Sequence, residues 1–129
     1  MSLVSGNSLS DLVWTPLGQL TAMPERGAAW PFDVMYAGQT CRAFAVLVDG
    51  VPRAFLNRCT HVPVELDWQP NQIFDISGRW LLCATHGAHY TPESGACVGG
   101  PCRGGLVKIP LEVRDGVVGW CAHHPFQAL

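Results

Sequence analysis

Cys59-Thr60-His61 and Cys83-Ala84-Thr85-His86 each place one thiol and one imidazole in a short segment, and 21 residues separate His61 from Cys83. Together these side chains form a metal-binding set: thiolates favour zinc or iron–sulfur centres, and imidazole suits zinc, copper and iron. Ligand type alone leaves zinc and iron–sulfur both open. Structural zinc sites usually carry like ligands in each arm, two cysteines and then two histidines, whereas each arm here is mixed. The mixed arms fit a two-iron cluster in which one iron takes both cysteines and the other both histidines, each segment giving one ligand to each metal.

The two segments, followed by His86-Gly87-Ala88-His89-Tyr90 and Ser94-Gly95-Ala96-Cys97-Val98-Gly99-Gly100-Pro101, resemble the Rieske [2Fe–2S] domain family from Phe55 to Trp120. The resemblance implies a cluster held by Cys59, His61, Cys83 and His86, with Tyr90, Ala88 and Pro101 around it. In such domains the loop containing Pro101 covers the cluster and the Tyr90 hydroxyl reaches a ligand sulfur, while Ala88 stands where high-potential members carry serine. The respiratory-complex branch ties its two ligand loops with a disulfide, but the corresponding positions here are Val64 and Thr85. This departure places the chain nearer the ferredoxin-like branch that serves bacterial oxygenases.

Replacing two thiolates by neutral imidazoles makes a cluster less negative and easier to reduce, to about −150 to +300 mV against about −400 mV for plant-type ferredoxins. With Tyr90 present and serine absent at Ala88, the expected potential lies in the lower half of that range. The outer ring nitrogens of His61 and His86 ionise, so the potential should fall with rising pH in the alkaline range.

With 129 residues, the chain suits one domain with one hydrophobic core. The expected organisation is a flexible 1–12 followed by a single Rieske domain whose cluster-binding region covers about 55–105. Charged residues make up 14% of the chain, against roughly 25% in ordinary domains. A net charge of −2 with eight scattered lysines and arginines gives no basic stripe for nucleic acid or anionic lipid. No segment approaches the ~20 apolar residues of a membrane span, no leader-like segment opens the chain, and six cysteines fall short of a disulfide scaffold. The expectation is therefore a soluble protein of the cytoplasm.

Short alternating runs broken by turns predict an all-β fold, in the Rieske-like form of stacked small antiparallel sheets with two cluster-binding loops. Asp49-Gly50 between Cys41–Val48 and Pro52–Leu56, and Asp115-Gly116 between Leu111–Arg114 and Val117–Cys121, are hairpin signals. A strand ending at Leu56-Asn57-Arg58 delivers Cys59, and Arg79-Trp80-Leu81-Leu82 after the Ser77-Gly78 turn delivers Cys83. Ligands on loops held by rigid strands are what a cluster needs.

Other groups carry plainer readings. Cys121-Ala122-His123 is a second Cys-x-His but lacks the surrounding loop pattern, so His123 and His124 read as solvated tail. His89 reads as turned away from the cluster beside Tyr90, and Glu65, Asp67 and Asp75 as solvated surface. Cys41, Cys97, Cys102 and Cys121 read as small buried hydrophobes, with oxidation of Cys97 and Cys102 across the Gly-Pro loop as the sharper alternative. Trp14, Trp30, Trp80 and Trp120 read as core, while Trp68, with Val62, Pro63 and Val64, reads either as plain loop packing or as an apolar rim where a redox partner docks.

No catalytic residue is expected. What the resemblance implies is a Rieske-type ferredoxin passing single electrons between a reductase and a terminal oxygenase. Other readings are a small subunit of a nitrite-reductase-type assembly, a redox-sensing module, or a structural zinc domain.

Overall fold

Aspartate followed by glycine suits a two-residue hairpin turn, which needs positive φ at both positions. In the computed structural model, Asp49 and Gly50 have φ of 53° and 79°, and Asp115 and Gly116 have 51° and 78°. The first turn joins β3 (Gln39–Val48) to β4 (Val51–Leu56), and the second joins β9 (Leu111–Arg114) to β10 (Val117–Cys121). Both hairpins are antiparallel, as the sequence predicts. The structure describes residues 13–58, 65–66, 71–83, 87–102, 104–122 and 126–127.

The remaining strands are β1 (Trp14–Gln19), β2 (Trp30–Tyr36), β5 (Leu81–Leu82), β6 (His89–Tyr90), β7 (Cys97–Gly99), β8 (Lys108–Ile109) and β11 (Phe126–Gln127). They form three antiparallel sheets, in the orders β1-β10-β9, β11-β2-β3-β4-β8 and β5-β6-β7. The helical content among the described residues is one 3-10 turn, Leu20–Ala22. The all-β expectation holds.

The five-stranded sheet lies at the centre because β3 is apolar on both faces, and strands covered on both sides read as continuous apolar runs. Phe44, Val46 and Val48 join one buried cluster with Phe55, Leu81, Cys83, Ala88 and Tyr90. The alternate residues Ala43 and Ala45 join a second cluster with Val34, Ala54, Leu56, Val118 and Trp120. One face of the central sheet thus carries β5-β6-β7, and the other carries β1-β10-β9. Phe44 and Phe55 are directly paired across β3 and β4, with ring centroids 5.8 Å apart. Such a pair contributes beyond its area of burial.

Two strand expectations are shortened. Arg79 and Trp80 stand outside β5 because Asp75 takes their backbone amides at 3.2 and 3.3 Å, together with the Ser77 hydroxyl at 2.9 Å. The carboxylate holds that stretch in a turn, so Asp75 is a structural group as well as a half-buried one. β4 stops at Leu56 because Asn57 turns inward, where it is 6% exposed.

The tryptophan reading is corrected in part. Trp120 is buried, but Trp14, Trp30 and Trp80 are only half-buried. Trp14 donates its ring N–H to Glu112 O at 3.0 Å and lies under the Arg114 guanidinium, 4.8 Å from the ring centroid. A large ring with a polar edge settles at the boundary, where the edge finds an acceptor.

Candidate metal centre

The two ligand-bearing segments predicted from sequence follow β4 and β5, and the described residues flanking each are tied to one another. The first follows β4. Asn57 is the one buried polar residue among the described residues, and its Oδ1 accepts a hydrogen bond from Leu66 N at 2.8 Å. Its own N–H donates to Arg42 O at 2.9 Å. Through its side-chain carbonyl and its backbone N–H, Asn57 thereby ties Leu66 and the end of β4 to β3 of the central sheet. Leu66, the far end of this clamp, is fully buried in the same cluster as Cys83.

The second loop follows β5 and is closed by backbone. Cys83 N donates to Ala88 O at 2.7 Å, and Gly87 N donates to Cys83 O at 3.0 Å. Below this closure Leu82 N donates to Ile73 O at 2.8 Å, and the β5–β6 ladder pairs Leu81 with Tyr90 and Leu82 with His89. Cys83 directly follows the strand, as expected. Its side chain is fully buried and outside any disulfide.

A third segment lies across the second loop. Gly100 approaches so closely that a Cβ there would fall 2.6 Å from Gly87 O and 2.7 Å from Ala88 Cα. Only glycine fits between these backbones. Gly100 also has φ of 79°, so its need for glycine is doubled. This is the loop expected to cover the cluster, with Pro101 exposed at its tip.

Of the sequence-predicted site residues, Cys83, Ala88, Tyr90 and Pro101 lie among the described residues. Ala88 and Tyr90 are fully buried in the cluster that contains Cys83, and Pro101 belongs to the covering loop. Cys59, His61 and His86 lie outside the described residues, as do Val64, Asp67, Trp68, Thr85, His123, His124 and segment 1–12. His89 has its ring 6.2 Å from that of Trp80. Its Nδ1 is 2.8 Å from Gly87 O, and since a carbonyl only accepts, Nδ1 carries the proton. Glu65 is exposed, in line with its reading as solvated surface.

The other cysteines divide. Cys121 is fully buried in β10, in the sheet across the central layer from Cys83. Burial pushes its thiol above the ordinary value, with Glu112 adding to the rise and Arg114 opposing it. Cys41 is half-buried. Cys97 and Cys102 are corrected from buried hydrophobes to a disulfide. Asn57 had no signal in sequence beyond an asparagine at a strand end; its role appears only once the loop closes on it.

The residues present fit a cluster: a buried thiol at a strand end, two loops pinned at their bases, and a glycine cradle that a side chain would fill. The chain belongs to the Rieske [2Fe–2S] domain family, whose model matches residues 13–110. The Rieske domain binds a [2Fe–2S] cluster, one per chain.

Solved structures agree on the fold. The ferredoxin of carbazole 1,9a-dioxygenase from Nocardioides aromaticivorans IC177 matches with a TM-score of 0.66 at 19% identity, covering 84% of this chain and 97% of that one. The Sphingomonas yanoikuyae B1 ferredoxin matches at 0.62 and 24% identity, covering 84% and 97%. The terminal oxygenase of carbazole 1,9a-dioxygenase from Novosphingobium sp. KA1 matches at 0.64 and 25% identity, covering 84% of this chain but 29% of the oxygenase. No curated protein sequence matches the chain significantly. Among the described residues no helix is long and apolar enough to cross a membrane.

Proposed function

We propose that this chain is a Rieske-type ferredoxin that carries single electrons from a reductase to a terminal oxygenase, with Cys59, His61, Cys83 and His86 as the cluster ligands. The observation that carries the reading is the pair of pinned loop bases, Asn57–Leu66 and Cys83–Ala88, under a glycine-rich cover. Likeness to ferredoxins over 97% of their length supports it. So does the existence of a carbazole 1,9a-dioxygenase complex of reduced oxygenase with oxidised ferredoxin, whose matched chain is covered over 94%.

Bound, the cluster supplies one-electron transfer. The chain's own part is to hold the ligands still, so that little reorganises as charge changes, and to keep water from the sulfurs. Burial of Cys83, Ala88 and Tyr90 does the second. The sheet-anchored loop bases do the first. Trp68, Val62, Pro63 and Val64 supply an apolar rim for the acceptor.

The test mixes anaerobically reduced protein with an oxidised Rieske terminal oxygenase in a stopped-flow instrument. Loss of one electron from the protein, matched by reduction of the oxygenase, is the expected result. A cluster that cycles with dithionite but passes no electron to any of a set of such oxygenases would instead favour the sensor or reductase-subunit reading.

A further inference from the structure

We propose that the Cys97–Cys102 disulfide is a thiol-exchange site that closes the covering loop into a ring resting against Gly87 and Ala88, and that a dithiol reductant opens it and loosens the cover. The inference rests on the Rieske reading for what lies beneath the loop. The bond joins residues five apart with their Cα atoms 6.0 Å from each other. The ring it closes contains Val98, Gly99, Gly100 and Pro101, with Gly100 against Gly87 and Ala88.

The disulfide touches the site on two sides. The Cys102 sulfur lies 3.2 Å from Gly99 O and 3.9 Å from His89 O, which sets the closed loop beside β6. Both cysteines also pack against the buried cluster that holds Cys83, Ala88 and Tyr90. With two consecutive glycines in the ring, the loop has little side-chain packing of its own to hold its shape, and glycine has the most backbone freedom to regain. The covalent closure is what limits that freedom.

The bond is also reachable. Cys97 and Cys102 are half-buried, whereas Gly100 and Pro101 are exposed and Val98 is 45% exposed. Exchange proceeds by attack of one thiolate of the dithiol on either sulfur, which forms a mixed disulfide and releases the other cysteine as a thiolate. The second thiolate of the dithiol then displaces the remaining cysteine. Two electrons pass from the dithiol to the cysteine pair, the cysteines take up two protons, and the dithiol ends as a cyclic disulfide. Cys83 and Cys121, both fully buried, are shielded from this chemistry.

The experiment treats native, cluster-loaded protein with dithiothreitol. Alkylation and peptide mass spectrometry read the state of Cys97 and Cys102, amide hydrogen exchange reads the loop, and an iron chelator reads cluster loss by absorbance. Expected are a bond that is closed before treatment and open after it, faster exchange at Val98–Gly100 and Gly87–Ala88, and cluster loss faster by roughly tenfold, within the loop-closure entropy of so small a ring. The Cys97→Ser/Cys102→Ser variant should match the reduced protein and ignore the dithiol. Free thiols in freshly isolated protein, a bond the dithiol leaves closed, or an opened bond with unchanged exchange would each overturn the proposal. Loop exchange that responds to dithiol in protein lacking iron and sulfide would instead leave the clasp standing and defeat the Rieske reading.

Discussion

Tyr90 and Ala88 are fully buried in the same cluster as Cys83, where one hydroxyl more or less changes the hydrogen bonds on offer to a cysteine sulfur. Donors to sulfur stabilise the more negative, reduced state and raise the potential. Ala88→Ser should therefore raise the potential and Tyr90→Phe lower it, as read by protein-film voltammetry. No movement in either variant would mean that neither position addresses the sulfurs. Cys121 gives a second prediction at this scale. Burial and Glu112 raise its thiol above the ordinary value of 9.0, so the folded chain keeps a proton that the unfolded chain releases. Unfolding above that value frees a proton, and stability falls as pH rises through it. Below it the contribution is constant. Denaturant midpoints taken on both sides of that value should diverge for the native protein and diverge less for Cys121→Ala; equal divergence would assign the alkaline loss to other groups.

At the scale of elements, Asn57 joins the two described ends, 57 and 66, of the segment that holds the first proposed ligand pair. Removing its amide strips a buried N–H at Leu66 of its acceptor, which costs about 1–3 kcal/mol. Asn57→Ala should lower stability by that order in a urea titration and speed cluster loss, whereas a neutral outcome would show that the loop needs no clamp. This residue also marks where sequence reading stops. The Asp-Gly turns were legible because positive φ at both central positions leaves few other residue choices, and the placement of Cys83 was legible because β5 is apolar and short. Asn57 was not, since a hydrogen bond across nine residues exists only when the loop is closed. The Cys97–Cys102 bond was open for a related reason: a spacing of five residues does not fix a Cα separation, and the 6.0 Å between these two exists only once the intervening loop has turned back on itself. Likewise Asp75 read as solvated surface because its acceptor role depends on the turn it builds.

At the scale of the molecule, the described residues form one central sheet with a small sheet on each face. β3 and β4 contribute to both cores at once, Phe44 and Phe55 to one and Ala45 and Ala54 to the other. Arg26 adds a bridge around the edge: it donates to Gly78 O at 3.0 Å and to Asp49 at 3.2 Å, and lies 3.7 Å from Glu93. Exposed ion pairs contribute little each, so the shared strands provide the coupling. A domain built this way should unfold in one transition. Loss of cluster absorbance and loss of far-ultraviolet circular dichroism should coincide on heating, and separate midpoints would show that the cluster-bearing layer melts independently. The layering also explains why half of the architecture was visible beforehand. Strand type follows from local alternation, but β3 is apolar on both faces, and only the assembled sheets show which residues belong to which core.

The central claim is a two-iron centre held by two thiolates and two imidazoles. Electron paramagnetic resonance of the reduced, anaerobically purified protein tests it most directly. Red-brown material with equal iron and labile sulfide, giving a signal whose mean g value lies below that of all-cysteine two-iron clusters, is the predicted result; colourless material with one bound zinc, or the signal of an all-cysteine cluster, would contradict it.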